Sequence, residues 1–129
     1  MVLCYYQVYP FSSAKIIYSL LLLDHYIHRY LQADLSERLS KAGTTLVVID
    51  FYATWCGPCK TIAPQIEKLA QERDDVIFLK VDVDECEDVV NEYQINSMPT
   101  FVFIKEGKVL NTFSGANYEH LLNLIQTHK

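Results

Sequence analysis

Trp55-Cys56-Gly57-Pro58-Cys59-Lys60 stands where a strand-like apolar run, Leu46-Val47-Val48-Ile49-Asp50-Phe51-Tyr52, gives way to a helical pattern. Two thiols at i and i+3 on the first turn of a helix can close a small disulfide. The first of them sits at the positive end of the helix dipole, which favours a thiolate. A C-x-x-C in a strand-turn-helix setting reads as a dithiol redox site. The same letters in a loop beside a second pair would read as half a zinc site. No second C-x-x-C exists, and the remaining cysteines, Cys4 and Cys86, are isolated in sequence. A pair of inert core cysteines is the bland alternative, but Gly-Pro between them is a poor core sequence.

Outward from this stretch the punctuation is clear. Asp34-Leu35-Ser36-Glu37 opens with a capping residue and a Glu three positions later, so a short helix runs to about Ala42 and stops at Gly43. The helix after the cysteines spans Cys56 to about Glu72, with Ile62, Ile66, Leu69 and Ala70 on its inner face. Pro64 deletes one of its backbone bonds and predicts a kink. Val76-Ile77-Phe78-Leu79-Lys80-Val81 is a second buried-looking strand. A return from the first strand through a helix makes a βαβ unit, hence a parallel pair with a right-handed crossover. The acidic Asp82 to Asp88 segment leads into a short helix through Tyr93. Thr100 to Lys105 and Lys108 to Phe113 flank Glu106-Gly107, a two-residue hairpin signal, and Asn117 caps a final helix to about Thr127. The order predicts an α/β domain whose mixed sheet, βαβ plus ββα, is flanked by helices.

At 129 residues the chain suits one domain with one core, and a 50% apolar, 21% charged composition is that of a globular protein. A formal net charge of -5 lends a nucleic-acid role no electrostatic support. Four cysteines at unrelated spacings do not form a secreted disulfide framework, so the cytoplasm is the default location. Residues 1–31 are set apart as an atypical apolar extension, leaving 32–129 as the domain. The extension holds only Lys15, Asp24 and Arg29 as full charges, and its Ile16 to Leu23 run is too short to span a bilayer by itself. It lacks a small-x-small cleavage site and the Arg-rich character of a mitochondrial presequence. Spacing of Leu20, Leu23, Ile27, Tyr30 and Leu31 predicts an apolar-faced helix from about Ser13 to Tyr30. A signal anchor over Val2 to Leu23 and a translation-start artefact are the alternatives; no membrane partner is expected.

Cys56 is the candidate nucleophile. A free thiol with pKa ~8.5 is only about 3% thiolate at pH 7, so a downward shift matters greatly for attack on a disulfide. Cys59 is then the resolving thiol, and Pro58 stiffens the turn between them. Asp50 is anomalous inside its apolar run, because burial of a carboxylate is costly and raises its pKa. Lys80 is the matching anomaly between Leu79 and Val81. If the two strands are neighbours the charges partly offset each other, and Asp50 can accept a proton from Cys59; otherwise both point to solvent at a sheet edge. Pro99, at the start of a strand, reads as an ordinary turn residue. Trp55 is either an exposed contact for partners or a core plug. Asp82-Val83-Asp84-Glu85-Cys86-Glu87 begins like a calcium loop but has Glu87 where glycine is needed, so it reads as a solvated acidic face. His25 and His28 could join the cysteines on a metal only if distant segments met, and no metal site is expected. Cys86 reads as a small residue at a helix start, with a regulatory thiol as the sharper alternative.

Four ordered motifs then carry a resemblance: Asp50 to Lys60, Lys80-Val81-Asp82-Val83-Asp84, Met98-Pro99-Thr100-Phe101 and Phe113-Ser114-Gly115-Ala116-Asn117. Over about residues 32 to 129 the chain resembles the thioredoxin family, specifically its cytosolic animal branch. The resemblance implies a thioredoxin fold and reduction of protein disulfides. It implies no cofactor beyond the Cys56–Cys59 couple, which an NADPH-dependent thioredoxin reductase would regenerate. It makes Pro99 a cis-proline facing the disulfide. It also places Trp55, Gly57, Pro58, Ile95, Met98, Thr100 and Gly115 around a shallow substrate groove, and gives Cys86 a regulatory role. The family's first strand would fall at about Tyr26 to Arg29. Ser97 stands where some relatives carry a cysteine that links two molecules, so a monomer is expected. Two rivals remain: a secretory oxidase or isomerase, disfavoured by Gly-Pro rather than Gly-His between the cysteines, and a redox-dependent binding subunit built on the same fold.

Overall fold

In the computed structural model of the protein, residues 6–9 and 35–129 are described. The strand predicted from the continuous apolar run is present as β2 (Leu46–Tyr52), buried along all but its last residue. Both of its faces are covered, which is why it reads as an unbroken apolar run rather than an alternating one. It pairs in parallel with β3 (Val76–Asp82) and antiparallel with β4 (Thr100–Lys105). β4 turns into β5 (Lys108–Ser114) through Glu106 and Gly107, at φ +53° and +73°. Two successive positive φ values are what a tight hairpin of the matching twist needs, and glycine supplies one of them without strain.

The sheet has five strands in the order β1-β3-β2-β4-β5, and β1 is Tyr6–Tyr9, antiparallel to β3 with Tyr6 opposite Val81 and Tyr9 opposite Phe78. Four residues of the segment read as an extension therefore supply an edge of the sheet. The helix expected over Ser13 to Tyr30 and the strand expected at Tyr26 to Arg29 lie outside the described residues.

Alternation along β2 sorts its side chains to two cores. Val47, Ile49 and Phe51 join Leu79, Val81, Val89 and Leu35, the last from helix α1 (35–42) and Val89 from α3 (Glu87–Glu92). Leu46 and Val48 join Phe78, Phe101 and Phe103 beneath α2 (Gly57–Glu72) and α4 (Tyr118–His128), which contribute Ile62, Ile66, Leu121 and Ile125. Each such fully buried side chain contributes about 1.5–3 kcal/mol by leaving water. Pro64 lies inside α2, as its sequence position requires. Asn117 caps α4, its side-chain oxygen accepting from the His120 N–H at 2.9 Å. Asn117→Ala removes that acceptor and is expected to lower stability by about 1 kcal/mol in urea unfolding.

Candidate active site

The dithiol sits at the junction of β2 and α2. After Tyr52 the chain leaves the sheet, turns through a bond from the Cys56 N–H to the Ala53 carbonyl, and enters the helix with Cys56 as its N-cap. Cys56 and Cys59 are joined in a disulfide with their Cα atoms 5.3 Å apart. The Cys59 N–H points at Cys56 Sγ at 3.2 Å, one of the first-turn donors that helical bonding leaves unused. That donor and the helix dipole favour a thiolate on Cys56 once the disulfide opens. Both sulfur-bearing residues are almost closed off, at 5% and 6% exposure.

A second wall comes from the start of β4. The Met98–Pro99 peptide bond is cis, and Cys56 Sγ lies 3.6 Å from the Met98 carbonyl oxygen. The Gly115 N–H donates to the Pro99 carbonyl at 2.8 Å, which ties the end of β5 to this wall. Gly115 sits at φ +106°, a conformation that a side chain rarely adopts. The Thr100 hydroxyl is 2.6 Å from the Ser97 carbonyl and 2.7 Å from Ser114 Oγ. Its one proton goes to the carbonyl, so Ser114 is the donor between the two hydroxyls.

Trp55 is 66% exposed, which excludes a core plug, and its Nε1–H donates to Asp84 Oδ2 at 2.8 Å. Gly57 and Pro58 are exposed beside it. Ile95 is buried at 9% and packs in the core on the α1 and α3 side, while Met98 is half-buried and touches both that core and the cysteines. Met98 thus stands with the dithiol, Pro99 and Thr100 follow it into β4, and Ile95 packs in the same core as Met98.

Behind the cysteines, Asp50 is Lys80's direct partner across the parallel pair, so the two anomalous charges are neighbours inside the sheet and not solvated edge groups. Asp50 is 5% exposed and its Oδ1 accepts no hydrogen bond. Burial pushes its carboxyl up to about 7, against the opposing pull of the Lys80 ammonium. A cavity of about 210 Å³ connects Asp50 and Lys80 with Cys59, Lys60 and Tyr52. Tyr52 and Asp84 were missed by sequence reasoning. Tyr52 had a usable signal, since two residues beyond Asp50 it must share that face of β2. Asp84 had none, because its acidic segment reads the same whether or not an indole reaches it.

Cys86 lies apart from this site. It is the N-cap residue of α3, 2% exposed, and is not a free thiol. Among the described residues no three His, Cys, Asp or Glu side chains gather as a metal-ligand set. No described helix is long and apolar enough to cross a membrane.

The thioredoxin family profile matches residues 27–127. The chain belongs to the thioredoxin family. It is 57% identical over 96 residues to Thioredoxin-T of Drosophila melanogaster, an alignment covering 74% of this chain and 61% of that protein. It is 54% identical over 85 residues to human thioredoxin, covering 66% of this chain and 81% of that one. The crystal structure of Fasciola hepatica thioredoxin superposes with a TM-score of 0.74 at 49% identity, over 76% of this chain and 94% of the other. The germline-specific thioredoxin Deadhead of Drosophila gives a TM-score of 0.69 at 39% identity, over 74% and 92%. Membership of the thioredoxin family and the Cys56–Cys59 disulfide together make this a thiol–disulfide oxidoreductase site, with the disulfide itself as the redox group.

Proposed function

We propose that the protein is a general protein-disulfide reductase of the cytoplasm, working as a monomer. The observation that carries this reading is the Cys56–Cys59 disulfide at a helix N-terminus, with a buried carboxyl sharing a cavity with Cys59. Cys56 is the nucleophile: it receives the first-turn N–H, whereas Cys59 lines the cavity with Asp50. Its thiolate attacks one sulfur of a substrate disulfide, forming a mixed disulfide and releasing the other substrate sulfur as a thiolate that takes a proton from water. Cys59 gives its proton to the Asp50 carboxylate, attacks Cys56 Sγ, and closes the Cys56–Cys59 bond while the remaining substrate thiol leaves. Two electrons pass to the substrate.

Lys80 tunes Asp50 in this scheme. Trp55, Gly57, Pro58, Met98 and Gly115 form the surface against which an extended substrate segment docks, with the buried Ile95, Pro99 and Thr100 beneath it. Thioredoxin reductase returns the electrons from NADPH. Cys86 is a regulatory position only after release as a thiol, because it is buried and already engaged. The test is reduction of insulin by the full chain with NADPH and thioredoxin reductase, and separately with dithiothreitol. Catalytic precipitation in both mixtures is expected. Turnover with neither reductant would overturn the reading and favour a docking subunit.

A further inference from the structure

Asp50 and Tyr52 are two residues apart on β2, so their side chains leave the same face of the strand. Lys80 is opposite Asp50 in the parallel register and shares that face. Its Nζ lies 4.1 Å from the centroid of the Tyr52 ring, inside the range where the negative face of an aromatic ring attracts an ammonium. All three side chains border the cavity that reaches Cys59. A lysine head on a flexible four-carbon stem prefers bulk water unless something seats it. Here an aromatic face is one such seat.

We propose that Tyr52 is a positioning residue for disulfide exchange: its ring holds the Lys80 ammonium at the mouth of the cavity, beside Asp50, and thereby governs proton passage between Cys59 and solvent. The proposal rests on the reductase reading in taking Asp50 as the proton acceptor for Cys59.

The surrounding charges suit that task. Asp82, Glu85 and Asp50 oppose ionisation of the Tyr52 phenol, which burial and these carboxylates push up to about 12, so the ring stays neutral wherever the reaction runs. Lys60 of α2 also borders the cavity, and Lys80 is the cation that draws the Asp50 carboxyl down against its burial. Loosening the seat therefore raises the Asp50 titration point.

The experiment is a 13C NMR titration of the Asp50 carboxyl in the full chain, with the pH profile of mixed-disulfide resolution measured beside it. Tyr52→Phe keeps the ring and should titrate with the wild type. Tyr52→Leu should raise the Asp50 midpoint by about half to one pH unit, in the direction of Lys80→Met, and move the resolution profile with it. The double variant should shift no further than Lys80→Met alone. An unmoved midpoint in Tyr52→Leu, an equal shift in Tyr52→Phe, or additive shifts in the double variant would each overturn the proposal. Tyr52→Met, which keeps bulk without a ring, replaces Tyr52→Leu if the latter fails to fold. The NMR titration needs no turnover, so failure of the reductase reading shows separately, as a wild type that does not reduce insulin.

Discussion

Cys56→Ser abolishes insulin reduction, lowering turnover by about 10³-fold or more, because a serine hydroxyl in the same place holds its proton at neutral pH and is not a nucleophile toward sulfur. The first-turn N–H on Sγ and the helix dipole act on a thiolate and have nothing comparable to act on in the variant. Cys59→Ser should behave differently. Cys56 still attacks, but the cavity side no longer offers a thiol to release the substrate. The variant therefore accumulates a mixed disulfide, read by intact mass as the sum of the two chains and mapped by peptide analysis to Cys56. Retained turnover in Cys56→Ser, or an adduct mapped to another cysteine, would reverse the assigned roles.

Asp50→Asn stabilises the protein at alkaline pH and slows its chemistry. Folding raises the Asp50 carboxyl from its ordinary value of 3.8 to about 7, so between those limits the folded state holds a proton that the unfolded state has released. Stability then falls as pH rises through this window and stays lowered above about 7. The full gap corresponds to about 4 kcal/mol. Asparagine carries no charge to desolvate, so the variant should lack this slope. The difference between the proteins should grow from near zero at pH 4 to as much as about 4 kcal/mol at pH 8.5, in urea unfolding with the disulfide closed. Resolution of the mixed disulfide should slow and lose its dependence on pH near 7. Stability profiles that run parallel from pH 4 to 8.5 would show that Asp50 does not titrate as its burial demands.

The layout of strands and helices was legible from residue 34 onward because local signals and tertiary needs agree there. The apolar run of β2, the Asn117 cap and the Glu106-Gly107 turn each specify their own geometry. Asp50 and Lys80 stood out as charges inside apolar runs, and the βαβ connection made them neighbours. Three features were not legible, for distinct reasons. The isomer at Pro99 depends on tertiary context, and only the family resemblance pointed to it. The Tyr52 seat for Lys80 requires the register of β2 against β3, which no local pattern encodes, although the strand face that Tyr52 shares with Asp50 does show in the sequence. The edge strand Tyr6–Tyr9 is four residues long, too short for alternation to distinguish it from the apolar sequence around it.

The near-closure of both cysteines, at 5% and 6% exposure, should act as a sieve on the disulfides the protein can reach. A sulfur so nearly closed off can be met in line only by a disulfide that protrudes or sits in a segment able to unfold toward it. Structural disulfides sunk in a folded core cannot present themselves to so closed a site. Shape would then protect them in addition to their low redox potential. Strained, surface or newly misformed bonds should pass the sieve and be reduced first.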